Sequence, residues 1–164
     1  RVGSKPKIDF IIKEKKEGKD RIKIAIETKW ISKSSTLLKD CLKDILRLAL
    51  LANNDKDIKC YFIVSGRHSD WLKRIEKNKK FYYIKENGKR VNILNLGRPG
   101  HNTLRPHTPP EKFSKIIKSA VSELNSNRLP EAIIIYYSGM YPDKPQRNEY
   151  VTIGWRIKAY KKAF

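Results

Sequence analysis

Asp9, Glu27 and Lys29 each stand in or beside a segment with the apolar rhythm of a β-strand. Residues 7–13 alternate in part between apolar and polar types. Residues 21–30 alternate cleanly, with Ile22, Ile24 and Ile26 to one side and Ala25, Glu27 and Lys29 to the other. A charged turn over residues 14–20, with Gly18 inside it, joins the two, so an antiparallel hairpin is expected. A register centred on Gly18 sets Asp9 across from Glu27, with Lys29 two residues further along the same face. Opposed carboxylates repel one another, and a divalent cation between them would offset that repulsion. Hard oxygen donors at a strand end suit Mg²⁺, which keeps several waters and is commonly completed by substrate phosphate. An ammonium beside such a centre can orient or activate an attacking water and stabilise charge developing on phosphate.

The remaining elements must hold this hairpin in place. Ser34 and Ser35 are candidate caps for a helix running to about Ala52 and stopped by Asn53-Asn54. Its apolar positions Leu38, Cys41, Leu42, Ile45, Leu46, Ala49 and Ala52 form a wide core stripe. Residues 60–64 are apolar on both faces and are expected as a buried central strand ended by Gly66. A short helix capped by Ser69 or Asp70 follows to Lys77, then a second hairpin over residues 81–96 turning at Asn87-Gly88. Residues 97–108 are expected as a loop rich in proline and cations. Thr108-Pro109-Pro110-Glu111 combines a capping box with proline at the first helical position, and opens a helix carrying Phe113, Ile116, Ile117, Ala120, Val121 and Leu124. Strands are expected over 132–137 and 150–160, the last with Val151, Ile153, Trp155 and Ile157 on one face. Mixed strands and helices imply one α/β (mixed α+β) domain, residues 1–164, with a mixed central sheet flanked by helices.

Composition narrows the partners. The chain carries 37 Lys and Arg against 17 Asp and Glu, a formal net charge of +20, which points to a polyanion. Ten per cent aromatic residues argue against a disordered basic tail. Apolar runs such as Leu48 to Ala52 are far too short to span a membrane, so no membrane partner is expected. Residues 1–6 lack the apolar stretch of a signal peptide, and with no initial Met a trimmed or processed chain, with something missing upstream, is the expectation. Cys41 and Cys60 fall inside apolar patterns and are expected as buried thiols of a reducing, cytoplasmic compartment.

Across roughly residues 7–65 the chain resembles the PD-(D/E)XK nuclease superfamily, the restriction-endonuclease-like enzymes. In that family a strand bearing Asp precedes a strand bearing Glu-X-Lys, then a helix, then a buried strand. Here the series is Lys7-Ile8-Asp9-Phe10, then Ile24-Ala25-Ile26-Glu27-Thr28-Lys29-Trp30, then the helix opening near Ser35, then residues 60–64, with Ile8 where the family commonly has Pro. The resemblance implies a restriction-endonuclease-like catalytic core over 7–65, with 66–164 extending the sheet and supplying DNA-contacting loops. It implies Asp9 and Glu27 as ligands of Mg²⁺ (Mn²⁺ substituting), the Thr28 carbonyl as a third ligand, and Lys29 acting on the nucleophilic water. It further implies an endonuclease hydrolysing phosphodiester bonds of DNA in preference to RNA. Restriction, a nuclease toxin domain with an immunity partner, and recombination or repair all remain open as settings, as does a homodimer.

Other residues allow two readings each. Arg98, His101, Asn102, Arg105 and His107 lie in the 97–108 loop and could read DNA, with Arg on guanine edges and Asn on adenine, or could be merely exposed. His101 and His107 have no third metal-spaced partner nearby in sequence. Arg67 and His68 follow a core strand and suit a phosphate contact or a plain strand-to-helix turn. Lys39, Lys43 and Arg47 could track a backbone, yet Asp40 and Asp44 make a salt-laced helix surface equally available. Trp30, on the face opposite Lys29, is expected in the core. From a different class, a non-catalytic basic protein could bind nucleic acid by charge alone.

Overall fold

A computed structural model describes residues 8–31, 37–84, 88–94, 101–123 and 129–160. Strands β1 (Phe10–Lys16) and β2 (Lys19–Trp30) form the expected antiparallel hairpin, turning through Glu17 and Gly18. Both turn residues have positive φ, 52° and 74°, the handedness that matches the twist of flanking strands in a two-residue hairpin. Helix α1 (Leu37–Asn54) then carries the chain over the sheet to β3 (Lys59–Arg67), which pairs with β2 in parallel. A parallel neighbour demands such a crossover, and an 18-residue helix supplies about 27 Å of travel.

A short helix α2 (His68–Trp71) runs into a π turn over Leu72–Glu76, without a side-chain cap from Ser69 or Asp70. Strands β4 (Tyr82–Ile84) and β5 (Arg90–Asn92) form a small separate hairpin, shorter than the span of residues 81–96 expected. Gly88 has φ +74°, as its turn position requires; Asn87 lies outside the described residues. The chain continues through β6 (His101–Leu104), α3 (Glu111–Glu123), β7 (Ala132–Tyr141) and β8 (Tyr150–Tyr160). Six strands make one mixed sheet in the order β1-β2-β3-β8-β7-β6. No described helix is long and apolar enough to cross a membrane.

The core lies on one side of this sheet. Alternating inward residues Cys60, Phe62 and Val64 of β3 and Val151, Ile153, Trp155 and Ile157 of β8 are buried against α1. Helix α3 packs beside α1, and Trp71 of α2 stacks on Trp155 at 5.7 Å between ring centroids. Leu48 is buried along with the predicted stripe, because α1 is enclosed by sheet on one side and α3 on another. Cys41 and Cys60 are buried free thiols, and burial raises both, Cys60 to about 12.

The sheet's other face departs from expectation. Residues 60–64 read as apolar on both sides, yet Tyr61 and Ile63 are only partly buried, because α1, α2 and α3 all gather on the inward face. The sequence pattern predicts loop over residues 97–108, yet 101–104 form the edge strand β6 on β7. Buried Asn102 and Leu104 give this short strand its inward side.

Gly66 marks a close approach between β3 and the end of β2, the tightest among the described glycines. A Cβ there would lie 2.8 Å from the Cβ of Ile31, an atom fixed to the backbone that cannot swing aside. Gly66→Ala is therefore expected to destabilise the fold by about 1–3 kcal/mol, read as a lower denaturant midpoint at unchanged slope.

Candidate active site

Whether Asp9 meets Glu27 depends on one irregularity in the first hairpin. A turn through Glu17 and Gly18 pairs Lys16 with Lys19 and Lys13 with Ile22, a register that would have put Ile26 across from Asp9. A bulge between Ile12 and Lys13 absorbs Lys23 and shifts the rest, so that Phe10 faces Ile26. Asp9 thereby comes beside Glu27, on the inward face with Ala25. Bulges of this kind re-aim side chains next to functional sites.

The β1 ladder stops at Phe10, which would leave the next β2 amide without a partner. Asp9 takes it: its Oδ2 accepts hydrogen bonds from the Thr28 backbone N–H at 2.8 Å and the Thr28 hydroxyl at 3.0 Å. Partial burial would raise the Asp9 carboxyl, but these bonds, together with Glu27 and Lys29, outweigh it and hold the group below its usual range. Glu27 has the opposite fate. It is 1% exposed, and burial first, then the nearby carboxylates of Asp44 and Asp9, push it up to about 7 despite the Arg47 guanidinium. Two adjacent acids are thus driven apart, the expected outcome when like charges share a site.

Helix α1 completes the cluster with Asp44 and Arg47, for which the sequence pattern offers a backbone-tracking or a salt-laced surface but not a place in the site. Arg47 Nη1 lies 2.5 Å from Glu27 Oε1 and 3.5 Å from Asp44 Oδ1, and Lys29 Nζ lies 2.9 Å from Asp44 Oδ2. Asp44 is only 5% exposed. Burial pushes its carboxyl up, and Lys29 and Arg47 only partly counter this. Burial would lower the Lys29 ammonium, yet its bond to Asp44 prevails and keeps it above its ordinary value. Lys29 is therefore a fixed cation near neutral pH. The available signal was spacing: Cys41, Asp44 and Arg47 step by three along α1, so Asp44 continues a buried stripe and Arg47 stands half-buried at its edge.

Among the described residues, no three His, Cys, Asp or Glu side chains are grouped so as to hold a metal by themselves. A cation here would rest on Asp9 and Glu27, with water or a substrate oxygen completing its shell. Mg²⁺ is commonly bound through only one or two carboxylates, so the pair fits that ion. Arg47 already holds one oxygen of Glu27, so an ion would take the other oxygen or displace the guanidinium.

The other candidate residues scatter. Arg67 and His101 lie on the outward face of the sheet, Arg67 over the Tyr150 ring at 5.8 Å and His101 against Tyr136 at 5.2 Å. His68 Nδ1 is 3.3 Å from the Gln146 carbonyl, Arg105 is 3.7 Å from Glu131, and His107 Nε2 is 3.4 Å from the Leu129 carbonyl. Asn102 faces inward at 3% exposure, its amide donating to the carbonyls of Asn92 at 2.6 Å and Ile93 at 3.2 Å, so it ties β6 to β5 and does not present an edge to DNA. Arg98 lies outside the described residues. Trp30 is not in the core: it is 59% exposed and packs on Tyr150 at 5.7 Å.

Compared with known proteins, the chain has no significant match to a family model, a curated protein or a solved structure.

The raised Glu27 carboxyl makes stability depend on pH. Between its ordinary value near 4.5 and about 7, the folded protein binds more protons than the unfolded chain, so stability falls as pH rises through that window. In chelator, the melting temperature should drop from pH 5 to pH 8 by the equivalent of about 1–2 kcal/mol, allowing for solvent screening. Glu27→Gln should flatten that slope; an equal slope in both proteins would assign it to other groups.

Proposed function

We propose that the chain is a Mg²⁺-dependent nuclease that cuts DNA phosphodiester bonds by attack of water. The observation that carries this reading is the Asp9–Glu27 pair: two carboxylates brought together by a bulge, one of them buried and raised to about 7, beside a fixed ammonium. An unassisted protein gains nothing from burying a carboxylate against two others, whereas a cation-binding site gains affinity. The order of elements supports it too: β1 following Asp9, β2 bearing Glu27-Thr28-Lys29, helix α1, then the strand β3, the series that the resemblance to PD-(D/E)XK nucleases implies.

When bound, Mg²⁺ would supply Lewis acidity toward a phosphate oxygen and a lowered pKa for its water. Asp9 and Glu27 would hold the ion, and the Thr28 carbonyl would be a third ligand. Thr28 also fixes Asp9 through its amide and hydroxyl. Lys29, kept charged by Asp44, would orient the attacking water and offset charge developing on the phosphoryl group; proton abstraction does not suit a lysine held above its ordinary pKa. The net charge of +20 favours a polyanionic substrate.

One observation favours a second reading, a basic nucleic-acid-binding protein without catalysis. Arg47 and Lys29 already neutralise Glu27 and Asp44, which would make the cluster an internal salt network. Incubation with supercoiled plasmid separates the two: Mg²⁺-dependent nicking, abolished by chelator, is expected of the nuclease, and binding without nicking in Mg²⁺ or Mn²⁺ of the alternative.

A further inference from the structure

The outward face of the sheet is uncovered by any described helix, and its composition is unlike that of an ordinary solvated face. Strand register defines its positions: residues 24, 26, 28 and 30 of β2, the odd residues 59–67 of β3, and the even residues 150–160 of β8. None of these is Asp or Glu. Aromatic rings stand among them and on neighbouring β7: Trp30, Tyr61, Tyr150 and Tyr160, with Tyr136 and Tyr141. Trp30, Tyr141, Tyr150 and Tyr160 are each more than half exposed.

The rings and cations are interleaved. At one end Trp30 packs on Tyr150, and Arg67 sits over the Tyr150 ring. Toward the other, Lys158 Nζ lies 5.1 Å from the Tyr136 centroid, with His101 against the opposite flank of that tyrosine. Arg156 pairs with both Tyr61 and Tyr136 across the strands. Between the two ends, facing glycines Gly139 and Gly154 leave the sheet bare and open a shallow hollow of about 340 Å³ bordered by Tyr61, Ile63, Tyr141 and Thr152. From Tyr150 to Lys158 the platform runs about 26 Å.

From this arrangement we infer that the outward sheet face binds single-stranded nucleic acid, with bases stacked on the exposed rings and phosphates carried by Arg67, Arg156 and Lys158. Stacking rings interleaved with cations are what an extended strand offers partners for, since every base has a π-face and every linkage a charge. A duplex keeps its base faces inside and could use only the cations. A second copy of the chain is disfavoured, because apposing the β3 and β8 surfaces of two such faces sets cations against cations, and the nearest acid on this side, Glu14 of β1, is already held by Lys23. This inference does not rest on cleavage. The face lies on the opposite side of the sheet from Glu27 and Arg47, and strand binding is measured without divalent metal.

The test is fluorescence anisotropy of a labelled thymidine oligonucleotide and of a duplex of equal length, in chelator, for the unaltered protein and for Trp30→Ala/Tyr150→Ala. Single-strand affinity should fall about tenfold or more in the variant, because each lost stacking contact is worth about 5- to 150-fold. Duplex affinity should change by less than about threefold. Single-strand affinity that survives in a variant of unchanged circular dichroism overturns the inference, as does an equal loss for duplex, which would reduce the face to charge alone. Binding to vesicles of anionic phospholipid that competes fully with the oligonucleotide overturns it in favour of a membrane surface. Photocrosslinking of the oligonucleotide to the unaltered protein avoids any folding defect of the variant. Attachment at Tyr61, Tyr136 or Tyr150 is expected, and attachment confined to other elements is the contrary result. A protein that binds single strands here yet never nicks plasmid overturns the nuclease proposal alone.

Discussion

Lys29→Met is expected to lower Mg²⁺-dependent nicking by about 10²–10³-fold or more while leaving DNA affinity in chelator nearly unchanged. One cation among 37 Lys and Arg adds little to a diffuse attraction, whereas an ammonium at the reacting phosphate acts on charge that develops only in the transition state. The substitution also strips Asp44 of a partner at 2.9 Å, leaving a buried carboxylate with Arg47 at 3.5 Å. Some stability should therefore be lost, and stability must be separated from chemistry. The double variant Lys29→Met/Asp44→Asn removes the stranded charge with its partner, so it should regain much of the melting temperature without regaining activity. Recovery of nicking alongside the melting temperature would make Lys29 a structural residue. Undiminished nicking in Lys29→Met across several divalent metals would remove it from the site altogether.

Glu27→Gln and Asp9→Asn should each reduce nicking by about 10²-fold or more, but with different secondary effects. Glu27 is buried and raised to about 7, so its neutral replacement relieves repulsion from Asp44 and Asp9. The Glu27→Gln protein should be more stable than the parent at pH 8 in chelator, and it should lose most of the stabilisation that Mg²⁺ gives the parent. Asp9 is held below its usual range by the Thr28 amide and hydroxyl, and Asn keeps one acceptor for them, so the strand end should persist while ion binding weakens. In chelator both variants should bind DNA at least as tightly as the parent, since a carboxylate facing phosphate has been removed. A Mg²⁺-induced rise in melting temperature that is equal in parent and Glu27→Gln would mean that the ion binds elsewhere.

How much of this was legible in the sequence differs by element. Strand β2, α1, α3 and β8 announced themselves because each buries one face, and burial of one face writes a period of two or 3.6 into the residue types. Strand β3 showed as a continuous apolar run, and β1, exposed throughout, showed only through its turn and its partner. Strand β8 runs over the predicted residues 150–160. Strand β6 was hidden: it has four residues, sits at a sheet edge, and takes its inward side from Asn102 and Leu104, a pattern too short to stand out from a proline-rich loop. Its type and its strand face predict a core position for Trp30, as large aromatic residues usually take. Only the gathering of α1, α2 and α3 on one side decides that the opposite face is left to solvent.

The candidate site divides along the same line. By itself the sequence determined that Asp9, Glu27 and Lys29 belong to one hairpin, since local alternation and a glycine turn depend on neighbours in the chain. The tertiary structure decided that Asp9 reaches Glu27 at all, because a turn through Glu17 and Gly18 gives the wrong register until Lys23 is bulged out. It also decided that Asp44 and Arg47, a helix away in sequence, lie against the hairpin and set its charge state. Both depend on how α1 docks on the sheet. Docking is fixed by long-range packing of apolar stripes, which shows in the sequence as a stripe but not as the partner it will meet.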